Sequence, residues 1–146
     1  IQSPRGIRAR IYRSTNQSLT NNTITAVSCD SERYDTDNFH EGVTNPTRLT
    51  IPFAGTYRVT GSLRYAANAT GQRQSQILLN GATIIGLMTT PFPLSATVTV
   101  LHVLTSDYVF VAGDYVELIA FQDSGGALNA GDASTSRLQF QAIKVW

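Results

Sequence analysis

The chain has 146 residues and a mass of 15.8 kDa, one domain's worth of core, and needs neither disulfides nor metal to fold. Hydrophobic residues make up 42 % and charged residues 14 %, with 18 Thr, 12 Ser and 8 Asn filling the polar share, which excludes a disordered chain. A net charge of +1 argues against nucleic acid as the main partner, no run of about 18 apolar residues offers a helical membrane span, and the lone Cys29 excludes a disulfide scaffold. The chain opens at Ile1 without an initiator Met, which reads as a fragment or a processed product.

Taken in order, the pattern is strand, turn, strand. Ile7, Ala9 and Ile11 alternate with Arg8, Arg10 and Tyr12, and residues 14–23 follow as a polar loop. Residues 48–52 read as a short strand. Residues 56–65 carry the clearest signal: Tyr57, Val59, Gly61, Leu63 and Tyr65 fall on one face, Arg58, Thr60, Ser62 and Arg64 on the other. Residues 76–79 run into Asn80-Gly81, a strong hairpin signal, with 83–86 returning. Val98, Val100, His102 and Leu104 share one face of a strand whose other face holds Leu101 and Val103, so both faces are apolar. Gly113-Asp114 turns into a strand at 115–121, residues 124–136 read as a loop, and 138–146 closes the chain as a strand. No window has a helical period. Eight to ten short strands predict an all-β antiparallel sandwich or jelly roll without a domain linker or internal repeat. A strand apolar on both faces needs a second cover, and a second copy of the chain is the simplest one.

Several motifs then fall in one recognisable order. Phe53-Ala54-Gly55-Thr56-Tyr57-Arg58-Val59 resembles the core signature of the C1q/tumour-necrosis-factor-like jelly roll, a Phe followed by Gly-x-Tyr-x-Phe. Ala9-Arg10-Ile11-Tyr12-Arg13 is similar to its first strand, and Tyr34-Asp35 with Phe39 to the segment before the core motif. Leu79-Asn80-Gly81 resembles its hairpin, Ala112-Gly113-Asp114-Tyr115-Val116 its Gly-Asp turn and strand, and residues 140–145 its closing strand. Val59 departs from the usual aromatic, and Ala142 sits where the family often has Gly. The Tyr-Arg-Ser-Thr-Asn-Gln-Ser string beginning at Tyr12, with Asn68-Ala69-Thr70-Gly71, is more similar to the bacterial and phage branch than to the vertebrate one.

The resemblance implies a C1q/TNF-like homotrimer around a threefold axis and no catalysis. Carried over motif by motif, it implies Arg58, Thr60, Leu101, Val103 and Phe140 at the axis, with Tyr57, Val59, Leu63, Val116, Leu118 and Ile143 in the core of one copy. Arg58 at an axis needs an acid or a wet end, because three like charges would otherwise meet. Residues 1–13 form an Arg-rich arm and first strand, in which Arg5, Arg8, Arg10 and Arg13 anchor the trimer to a capsid protein or a preceding stalk; residues 14–146 complete the single domain.

The chemical signals are sparse. Two histidines, His40 and His102, cannot supply a metal-binding cupin cluster, and Cys29 has no recognisable base beside it, so the chain is expected to be no enzyme and to hold no cofactor. Asp30, Glu32, Asp35, Asp37 and Glu41 crowd one segment, which reads either as an acidic loop pairing with the arginines or as a calcium site without EF-hand spacing. Two functional readings follow. One is a structural trimer on a virion surface, a phage capsid decoration or fibre domain. The alternative is an adhesive module on a fibre tip or bacterial surface, binding a glycan or receptor through loops 68–74 and 122–136.

Overall fold

The computed structural model describes residues 6–90, 97–131 and 138–146. Those residues carry thirteen strands and no helix. They are β1 Arg8–Tyr12, β2 Gln17–Leu19, β3 Thr25–Ala26, β4 Ser31–Asp35, β5 Arg48–Thr50, β6 Gly55–Tyr65 and β7 Arg73–Leu79. The rest are β8 Thr83–Thr90, β9 Thr99–Leu104, β10 Tyr108–Phe110, β11 Tyr115–Gln122, β12 Leu128–Ala130 and β13 Gln139–Lys144.

Two antiparallel sheets stack into a jelly roll. In the first, β6 is flanked on one edge by β13 and, at its far end, β12; β9 and β10 lie on the other edge. β1 follows β13, and β4 follows β1. The second sheet runs β3-β11-β7-β8, with β5 also paired to β11. β6 organises the first sheet because its alternation is unbroken: Tyr57, Val59, Leu63 and Tyr65 are fully buried. Tyr57 sits edge-on to Phe39 at 6.1 Å and to Phe110 at 5.8 Å, and its hydroxyl donates to the Phe53 carbonyl at 2.8 Å. The β7–β8 hairpin turns at Asn80-Gly81 with φ values of 51° and 72°, the left-handed pair a two-residue turn requires.

Register corrects the assignment of faces. Residues directly opposite one another in adjacent strands share a face. Leu101 lies opposite Leu63, Val103 opposite Gly61, and Phe140 also opposite Gly61. All three therefore enter the core and are buried within a single chain, so they are not axis residues. Gly61 has no side chain, and Leu118 of the second sheet fills that space with Val103 beside it: a Cβ there would stand 2.5 Å from Leu118 Cδ1 and 3.3 Å from Val103 Cγ1. Ala142, opposite Val59, is likewise inward, which turns Ile143 to the outer face beside Arg58 instead of into the core.

Strands also occur where the sequence reads as loop. β2 and β12 pair with each other, Leu19 opposite Leu128, each with too few residues to show a period. The acidic segment contains β4, which hydrogen-bonds along β1. Inside the sandwich, Arg73 is wholly buried. Its guanidinium donates to the carbonyls of Asn68, Thr70 and Gln72 at 2.9 Å each, fixing the loop after β6.

Candidate interaction face of the first sheet

The outer face of the first sheet is built in rows by the same register. From the end where the described termini meet, one row sets Leu104, Thr60, Gln141 and Arg10 side by side. The next sets His102, Ser62, Gln139 and Tyr12, and beyond it Val100 stands opposite Arg64. The β9 column is apolar apart from His102, and it is uncovered: Val98, Val100 and Leu104 are 40 %, 43 % and 64 % exposed. β8 adjoins this edge, since a Cβ at Gly86 would stand 3.0 Å from the Leu104 carbonyl oxygen. Ile84, Leu87 and Met88 of β8 are exposed as well. The flank thus joins two runs of apolar side chains with no cover from the described chain.

Between the β9 column and β1 the face sinks into a dish of about 320 Å³. Thr60, Ser62, His102, Gln139, Gln141 and Arg10 line it, with Gly61 and Val103 at its floor and Leu104 on its rim. Small side chains on β6 make the depression. Arg10 Nε donates to Gln139 Oε1 at 2.9 Å, and Nη2 bonds the same oxygen. The Tyr34 hydroxyl donates to Gln141 Oε1 at 3.2 Å. No carboxylate lines the dish.

The sequence-predicted residues fall in different places. Thr60 is on this outer face. Arg58 is there too, exposed and paired with Asp107 at 2.8 Å. Arg8, Arg10 and Arg13 each make a contact within the chain. Arg8 lies over the Tyr34 ring, Arg10 turns to Gln139, and Arg13 donates to Ser28 Oγ at 2.6 Å and its carbonyl at 3.0 Å. Arg5 lies outside the described residues.

The acidic segment spends its carboxylates locally. Asp35 accepts from the backbone of Asp37, Phe39 and His40, and Glu41 from that of Val43, Thr44 and Asn45. Hydrogen bonds from the Thr44 side chain and backbone lead in holding Glu41 below its ordinary range. Glu32 stands 3.1 Å from His40 Nδ1. Among the described residues no three metal-ligating side chains of this kind converge. Cys29 is buried, and desolvation, reinforced by nearby Asp30, pushes its thiol up to about 12.

Sequence reasoning missed the parity of β9. The outward apolar residues are Val98, Val100 and Leu104, and the signal for them was the pairing of Gly61 with Val103, which only register reveals.

No protein-family model matches the sequence, and neither does any curated protein. Solved structures do. The chain is similar to murine APRIL with a TM-score of 0.72 at 10 % identity, covering 97 % of this chain and 100 % of that one. It is similar to the globular domain of zebrafish complement 1qA protein with a TM-score of 0.62 at 12 % identity, covering 95 % and 97 %. Eiger TNF from S. frugiperda gives a TM-score of 0.66 at 11 % identity, covering 97 % and 93 %. What the chain shares with them is the C1q/TNF-like jelly-roll fold.

Proposed function

We propose that the chain is a non-enzymatic structural module that works as a homotrimer on a virion surface, as a phage capsid decoration or fibre domain. The observation that carries this reading is the uncovered apolar column of β9 beside the exposed β8 edge. Covering one such side chain completely stabilises an assembly by about 1.5–3 kcal/mol relative to leaving it in water. A closed ring of identical copies covers every column with the same surface. The threefold arrangement rests on the resemblance of the sequence motifs and is supported by the shared fold of APRIL, complement 1qA and Eiger TNF.

The non-enzymatic reading draws on the chemistry of the two reactive side-chain types. Cys29 is buried with its thiol held protonated, His102 has no carboxylate partner in its dish, and His40, which has one in Glu32, is buried. The Lys144 amide donates to the Ile7 carbonyl at 2.9 Å, so Ile7 and Lys144 lie side by side at one end of the sandwich. Trp146, Phe53, Val109 and Val111 are exposed around that end, a greasy base suited to a stalk or a capsid protein. Helical membrane spans are absent among the described residues. Immunogold labelling of particles from the source tests the virion reading. Gold on particle surfaces is expected; gold confined to cell envelopes or the soluble fraction overturns it.

A second reading, adhesion, is favoured by the opposite end. There the Gln72 amide donates to Asp123 Oδ1 at 2.5 Å, the Gly125 amide donates to Asn21 Oδ1 at 2.8 Å, and Arg73 locks loop 68–72. A rigid polar loop cluster is a good recognition surface for a glycan or receptor outside a cell. Signal on a glycan array that is lost in a loop variant would favour this reading over decoration.

A further inference from the structure

The dish on the first sheet has a one-sided chemistry. The two glutamine oxygens are engaged: Gln139 Oε1 takes two bonds from Arg10, and Gln141 Oε1 takes the Tyr34 hydroxyl. An amide whose oxygen points away presents its NH2 group, so both glutamines have donors left to face the dish. Neither amide nitrogen makes a hydrogen bond among the described residues, and the same holds for Arg10 Nη1 and the Thr60 and Ser62 hydroxyls. Ser62 as a residue is largely buried and forms part of the wall of the dish. One guanidinium and no carboxylate line the cavity, so its field is positive.

A cleft near the small end of the ligand-binding range, about 300–1,000 Å³, that is lined by donors and one cation selects an acceptor-rich anion. Planar carboxylates take several donors at once, and charge-assisted bonds of this kind are the strong ones. We propose that this dish binds a carboxylate, carried by a small acidic molecule such as an acidic sugar or by an acidic side chain of a second copy. The inference stands on the donor set, and only the second-copy source of the carboxylate rests on the proposed self-association.

The test titrates the intact chain with sodium glucuronate, with methyl glucoside as the neutral analogue at equal ionic strength. The side-chain amide signals of Gln139 and Gln141 are read by NMR. Glucuronate is expected to shift both signals saturably, and methyl glucoside to leave them in place. Gln141→Glu, which puts a carboxylate in the dish, should weaken glucuronate by about tenfold or more while keeping the Tyr34 contact and the melting temperature. Arg10→Met should weaken it as well. Solution mass measured at glucuronate saturation separates the two sources. An unchanged mass assigns the dish to a free acid, and a fall toward one chain assigns it to a neighbouring copy's side chain. No amide shift, or equal shifts with the neutral analogue, overturns the proposal. A single-chain mass before any glucuronate is added would instead count against the trimer, and the titration would still be read on its own.

Discussion

Two buried side chains set the chemistry of the interior in opposite ways. Cys29 is kept neutral by burial, with its thiol raised from 9.0 to about 12. A group raised in the folded state contributes stability in full below its unfolded value and loses it as the pH climbs through the folded one. The loss from Cys29 therefore begins near pH 9 and continues toward 12. The pH–stability curve of Cys29→Ala should lack that part of the alkaline slope. Thiol reagents should label native Cys29 at pH 8 only as fast as the chain opens. Arg73 is the reverse case, a buried cation whose pKa burial lowers and Asp123 supports. Its three carbonyl partners lose their donor in Arg73→Met, which should cost about 2–4 kcal/mol in urea unfolding. The Asn80-Gly81 turn was legible because only certain residues accept left-handed φ. Arg73 was not, since nothing in Gln72-Arg73-Gln74 announces that its cation turns inward.

At the scale of the strand, alternation and register carry different information. Alternation within β6 is visible in one stretch of sequence, and its inward residues, Tyr57 to Tyr65, match their reading. The choice of inward face for β9 is not local, because Leu101 and Val103 on one side face Val100 and Leu104 on the other, whereas in β13 Gln139 and Gln141 alternate with Phe140 and Ala142 and only the placement implied by the resemblance put Phe140 outward. Pairing with Gly61 decides it, and Gly61 looks like a neutral position until its neighbours are known. The short β2 and β12 were illegible for a related reason: three residues hold no period, and the two strands form only by pairing with each other. A pair of substitutions on one strand tests the corrected parity. Leu101→Ala should destabilise the single chain by about 2–5 kcal/mol, as a large-to-small change in a packed core does. Leu104→Lys should leave the chain folded by circular dichroism and abolish its assembly. Equal effects of the two on the unfolding midpoint would contradict the assignment of faces.

For the whole molecule, the jelly roll and the order of its motifs were readable from the sequence, and the interaction face was half readable. The need for a cover over β9 was visible in its composition; which residues need it was not. The dish stayed hidden because Arg10, Ser62, Gln139 and Gln141 lie on three strands far apart in sequence. An assembly held by buried apolar columns gains stability by mass action, so in a reversible melt the midpoint should rise with protein concentration. The most direct measurement is the mass in solution by light scattering at micromolar concentration. Three times the 15.8 kDa chain is predicted, falling to one chain in Leu104→Lys. A wild-type mass of one chain, with Val100 and Leu104 left in water, would contradict the account.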